Sequence, residues 1–311
     1  MSNVQKIDVH HHLLPPFWVD YLQQHPTVHR VPQQWSPAGA IESMNAQGIA
    51  KALLSLSVPG VGPWPVNERA EAARQVNDYT ADLVARWPER FGNLATLPLP
   101  DVDAALVELA YAFDTLSVDG VVVFTNYGDM FLGDGAFEPL WAELDRRAAL
   151  VLIHPDSTTL PALDGTPAPL VDFPFATTRT AVDMVFNGVM DRHRSMRVVL
   201  SHAGGFLPYA ADRIARGGSG LPGKPDHETL LQTLRRFYLD TALSTGPMVL
   251  PSLTAFAAPG HILFGSDYPY AAGMAPEFTA VLDSSPLLSD EQRAAITHLN
   301  AAAILQRRTA D

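Results

Sequence analysis

The sequence predicts an α/β fold, a single (β/α)8 barrel of the TIM type with loop insertions after strands 1 and 5, spanning residues 1–311 as one domain. Three observations predict it. Short β-branched or leucine-rich runs alternate with longer alanine-rich stretches of helical period, the pattern of repeated strand and helix units around a parallel sheet. The strand candidates number eight. Metal-competent and proton-transferring side chains stand at the ends of several of them, where such a barrel carries its chemistry.

Taken in order, the strand candidates are Val4–His10, Ala50–Ser57, Gly92–Leu97, Gly120–Thr125, Leu150–His154, Arg197–Ser201, Phe237–Asp240 and His261–Gly265. Between them the periodicity predicts helices over Val66–Trp87, Val102–Asp114, Phe137–Ala148, Phe175–Arg192, Leu207–Arg216, Glu228–Leu234 and Pro247–Ala257. Asp290–Arg307 reads as a closing helix, with Ser289 as its N-cap and acidic residues in its first turn. Leu13–Pro37 and Pro155–Pro174 exceed a minimal barrel. Connections after strands build the active face, so both read as lids over it.

Composition narrows the chemistry. The chain has 311 residues, 47% apolar and 17% charged, with 33 acids against 21 bases and no cysteine. Absence of cysteine removes disulfides, thiolate zinc sites, iron–sulfur clusters and a cysteine nucleophile, so any metal sits on His, Asp or Glu. A formal charge of −12, with lysine only at Lys6, Lys51 and Lys224, argues against nucleic acid or an anionic membrane as partner. No apolar run approaches the roughly 20 residues of a membrane span. The N-terminal stretch lacks the pattern of a signal peptide, which makes a cytoplasmic location the expectation.

The histidines are informative by position. His10 and His12 flank one residue in the first strand, so a two-residue period points them the same way and His11 the other. His154 ends the fifth strand in LVLIHP, His202 follows the sixth in VVLSHAGG, and Asp267 follows the eighth in ILFGSDYP. These five groups, at the carboxyl ends of four strands, would converge above the barrel axis. Each alone is as well explained as a hydrogen-bonded structural residue; it is the joint placement that points to a site. His25, His29, His193, His227, His261 and His298 lack that placement, although His25 and His29 fall in the first insertion.

The pattern IDVHHHLLPPFW, LIHP, SHAGGFLPYAADR and LFGSDYPY resembles the amidohydrolase superfamily, within the branch of aminocarboxymuconate-semialdehyde decarboxylase and the γ-resorcylate and 6-methylsalicylate decarboxylases. The resemblance implies that His10, His12, His154 and Asp267 bind one divalent metal, with His202 beside it as a catalytic group. Three imidazoles and a carboxylate suit Zn²⁺, with Mn²⁺ as the alternative. Binuclear relatives use a carbamylated lysine after the fourth strand; here that strand reads GVVVFTNYG and no lysine ends a strand, so a mononuclear centre follows. Arg213 matches an arginine that crosses to a neighbouring subunit's site in the aminocarboxymuconate enzymes, which implies a homo-oligomer, dimer or tetramer. Their second substrate arginine has no clear counterpart; Arg30 is the nearest.

The resemblance thus implies nonoxidative decarboxylation of a small aromatic or unsaturated carboxylic acid, closest to the 6-methylsalicylate type. Catalysis falls to His202 and Asp267. Arg213 and Arg179 are candidates to hold a substrate carboxylate, and Phe175 and Tyr270, with Trp64, Phe173 and Tyr268, are candidates for an apolar wall. The alternatives are metal-dependent hydrolysis of a lactone, ester or amide on the same groups, and a noncatalytic barrel with structural histidines.

Overall fold

All eight strands form in the computed structural model, which describes residues 5–25, 35–156 and 163–306. They are β1 (Lys6–Leu13), β2 (Ile49–Leu56), β3 (Phe91–Thr96), β4 (Gly120–Phe124), β5 (Leu150–His154), β6 (Arg197–Leu200), β7 (Tyr238–Asp240) and β8 (Ile262–Leu263). They pair in chain order, each parallel to its neighbour. The segment running on from β8 closes the ring on β1: Val9 N–H donates to the Phe264 carbonyl at 3.0 Å, Asp267 N–H to that of His10 at 2.9 Å, and His12 N–H to that of Tyr268 at 2.7 Å.

Alternation along the strands separates two cores. Leu53, Leu94, Val122, Leu152, Val199 and Leu263 face inward with Val9, where Ala301 and Ile304 of the closing helix pack against them. Leu54, Val121, Val123, Val151, Ile153 and Leu200 face outward into the helical layer. Each fully buried side chain of this size contributes about 1.5–3 kcal/mol by leaving water. In β1 the pairing register shifts between Asp8 and His11. Such a bulge changes the parity of a strand, and so Val9 packs inside while His10 and His12 also turn to the interior.

Several boundaries differ from expectation. β1 continues to Leu13, so the histidine triplet lies within the strand and not at its end. The helix expected from Phe175 begins at Ala168 and carries Pro174 inside it, so the connection after β5 is shorter than Pro155–Pro174. That helix stops at Phe186; a left-handed Gly188 separates it from a short turn over Val189–Arg192. The closing helix is three pieces, Asp290–Ala294, a π turn over Ala295–Leu299 and Asn300–Gln306, and Ser289 caps it through a reciprocal capping box with Gln292. His29 and Arg30, and residues 157–162 of the second insertion, lie outside the described residues.

The turn after β6 is built for close approach. Gly205 has φ of 64°, and a β-carbon placed there would stand 2.1 Å from the Pro174 carbonyl oxygen and 2.9 Å from the Thr178 hydroxyl. Only glycine lets the helix Ala168–Phe186 lie against the turn that carries His202.

Candidate metal centre

His10, His12, His154 and Asp267 are all buried, and one ligand atom from each lies within 4.8 Å of the others. The separations are 3.1 Å between the Nε2 atoms of His10 and His12, and 3.5 and 3.3 Å from these to Asp267 Oδ1. Donors about 2.0–2.1 Å from a tetrahedral ion sit roughly 3.3 Å apart, so the spacing is that of a ligand set around one first-row ion.

The hydrogen bonds fix which nitrogen each imidazole offers. His10 Nδ1 faces Asp240 Oδ2 at 2.8 Å, and His154 Nδ1 faces the Pro155 carbonyl at 2.8 Å. His12 Nδ1 faces the carbonyl and hydroxyl of Ser55 at 3.2 and 3.1 Å. A carboxylate or carbonyl can only accept, so each Nδ1 carries a proton and the Nε2 atoms point into the cluster. His11 is turned away: its Nδ1 donates to Asp8 at 2.9 Å and its ring stacks on Tyr268.

The electrostatics call for positive charge in this space. Burial would lower His10, but hydrogen-bonded Asp240, with Asp267 and Asp8 behind it, pushes the imidazole up to about 9. Burial lowers His12 and, together with the neighbouring imidazoles of His12, His10 and His202, holds His154 well below its ordinary value. Burial opposes ionisation of Asp267, yet the imidazoles of His12, His202 and His10 around it hold its carboxyl well below the usual range. His10 therefore holds a proton on Nε2 as well as on Nδ1, facing His12 Nε2 at 3.1 Å; a divalent ion would displace that proton and take over its positive charge, and the residues fit such an ion.

His202 stands beside this set. Its Nε2 lies 3.5 Å from Asp267 Oδ2, while its buried Nδ1 has no partner among the described residues. The backbone is strained at both groups, with φ of 52° at His202, 57° at Ala203 and 58° at Asp267. Each such non-glycine residue costs about 1–2 kcal/mol, here in segments that aim side chains at one point.

The other predicted residues divide. Tyr270 sets its ring edge-on to His12 at 5.5 Å, and Phe173 does the same to His154 at 6.1 Å. Phe175 is 37% exposed and makes no ring contact with the cluster. Arg179 is exposed with its guanidinium 4.4 Å over Phe131, and Arg213 is exposed on the helix Leu207–Ser219. Trp64 stacks on Tyr21 at 3.7 Å. His193, which lacks the strand-end placement, is a buried structural residue bonded to Glu138. The lysines are engaged elsewhere: Lys6 with Gln47 and Asp283, Lys51 with Pro88, Lys224 with Phe186. Sequence reasoning did not single out Asp240 or Asp8. Asp240 ends β7 as His154 ends β5, a signal that was available.

A family model described as amidohydrolase matches residues 7–307. The 6-methylsalicylic acid decarboxylase of Penicillium expansum is 38% identical over 303 residues, covering 93% of this chain and 92% of its own. The crystal structure of an amidohydrolase II superposes with a TM-score of 0.91 at 30% identity, covering 97% of this chain and 100% of that one. A dihydroxybenzoic acid decarboxylase from Polaromonas sp. JS666, solved with manganese and 2-nitroresorcinol, has the same fold at TM-score 0.85 and 22% identity, covering 97% of each chain. With the family match running from β1 into the closing helix, and the His/Asp cluster assembled from β1, the end of β5 and the turn after β8, the chain belongs to the amidohydrolase family.

Proposed function

We propose that this protein is a metal-dependent carboxy-lyase that decarboxylates a small hydroxybenzoate, of the 6-methylsalicylate kind, without an oxidant. The observation that carries the reading is kinship over nine-tenths of both chains with a 6-methylsalicylic acid decarboxylase, in a chain whose four metal donors converge. His10, His12, His154 and Asp267 would hold one divalent ion, which supplies Lewis-acid withdrawal of charge from the substrate's carboxylate and adjacent oxygen. Zn²⁺ suits the donors and Mn²⁺ is the alternative.

The chain's own residues do the rest. Phe173 and Tyr270 flank the ligand histidines and wall an apolar face for an aromatic ring. His202, in contact with Asp267, delivers a proton to the ring carbon that bears the carboxylate. The bond from that carbon to the carboxylate then breaks, carbon dioxide leaves, and aromaticity returns; the proton is replaced from solvent. Arg213 would hold a substrate carboxylate across the interface of a homo-oligomer, and the enzyme would work in the cytoplasm. Arg179 and Phe175 would contact substrate only from the outer rim.

A carbon dioxide assay over 6-methylsalicylate, 2,6-dihydroxybenzoate and a set of lactones tests this. One carbon dioxide per acid consumed is the expected result. Lactone opening with no decarboxylation would make the protein a hydrolase.

A further inference from the structure

One buried carboxylate outside the ligand set touches both halves of the chemistry. Asp240 is fully buried at the end of β7. Its Oδ2 accepts from His10 Nδ1 at 2.8 Å, and its Oδ1 accepts from the backbone N–H of His202 at 2.9 Å and from that of Ala242 at 2.9 Å. The first bond fixes the tautomer and plane of a ligand imidazole. The second holds the left-handed residue that carries the proton-donating imidazole. Packing leaves this arrangement little room: a β-carbon at Gly265 would stand 2.9 Å from His10 Cβ and 3.2 Å from Asp240 Cβ and Cγ.

We propose that Asp240 is the positioning residue of this site, a single carboxylate that sets the ligating nitrogen of His10 and the place of His202 together. The proposal rests on reading the cluster as a metal centre with His202 as proton donor. Its logic is one of donors and acceptors. Three N–H groups converge on Asp240, and an asparagine of the same shape has one accepting oxygen where the site needs two. With the amide nitrogen toward His10, the imidazole must accept there and carry its proton on Nε2, which abolishes ligation. With the amide reversed, its N–H group faces the N–H groups of His202 and Ala242.

The test is Asp240→Asn in the full chain, stripped of metal and titrated with zinc against a chromophoric chelator, beside the natural protein and His202→Ala. The expected result is zinc affinity 10–100-fold weaker in Asp240→Asn, the range for lost partners of metal-ligating histidines, with His202→Ala unchanged. At saturating zinc, kcat should stay depressed while KM moves little. Zinc affinity and kcat both within twofold of the natural protein overturn the proposal. Absence of decarboxylation in the natural protein, with tight zinc binding, removes the functional reading while the zinc comparison still decides Asp240. Should Asp240→Asn fail to fold, ¹⁵N NMR of the zinc-loaded natural protein decides: a hydrogen-bonded proton on His10 Nδ1 supports the proposal, and a proton on Nε2 overturns it.

Discussion

The hydroxyl of Ser266 donates to the carboxylate of Asp8 at 2.5 Å, joining β1 to the turn after β8 across 258 residues of chain. The same carboxylate accepts from Ser266 N–H at 3.1 Å, His10 N–H at 3.0 Å and His11 Nδ1 at 2.9 Å. Asp8 thus closes the barrel next to its site. Asp8→Ala should lower stability by about 3 kcal/mol or more, because each buried donor left unsatisfied costs ~1–3 kcal/mol. Urea unfolding of the metal-free protein measures it. An unchanged midpoint would show that water satisfies these donors.

The contact between Gly205 and Pro174 makes a second prediction. Gly205, at φ 64° and ψ −123°, lies outside the left-handed helical well, so Gly205→Ala adds a backbone penalty of about 1–3 kcal/mol to an overpacking cost of about 1–3 kcal/mol, because the facing atom is a backbone carbonyl that cannot rotate away. A loss near 3 kcal/mol in thermal or denaturant unfolding is expected, and activity should fall as well, since the displaced turn carries His202. Gly217→Ala, with nothing within 4 Å of the added carbon, is the control and should be neutral or stabilising.

Much of this was legible in the residues. Side chains at strand ends announce themselves, and β5 runs over Leu150–His154 as read. Two features were not. The bond between His10 and Asp240 spans 230 positions, and no spacing rule distinguishes a carboxylate that ligates from one that orients a ligand. Pro174 misled differently: proline usually stops a helix, but this one sits in the second turn of Ala168–Phe186. Once that helix is extended, Phe173 and Phe175 are about 200° apart around it, so the first reaches His154 and the second faces out.

Metal removal gives a third prediction. Elemental analysis should find one divalent ion per chain, and chelation should lower the unfolding temperature along with activity. At a thousandfold excess of free ion over Kd the linkage is worth about 4 kcal/mol, on the order of 10 °C for a chain of this size. Readdition of zinc or manganese should restore both quantities, and the ion giving the higher kcat answers the question of identity. Metal content well below one per chain, with no gain on readdition, would leave the histidines a structural role only.

The last prediction separates ligand from proton donor. Asp267 places Oδ1 near the Nε2 atoms of His10 and His12 and Oδ2 near that of His202, so under the proposed function Asp267→Ala would remove a metal ligand and the partner of His202 at once. Both metal and turnover should vanish. His202 shares no ligand atom with the cluster of four. His202→Ala should therefore keep its metal while kcat falls by about 10²–10⁴, the usual contribution of general acid catalysis. Metal analysis and turnover on the same preparations decide the matter. Loss of metal from His202→Ala would make His202 a fifth ligand, whereas retained metal with retained turnover would move proton delivery to Asp267, the other protonatable group in contact with it.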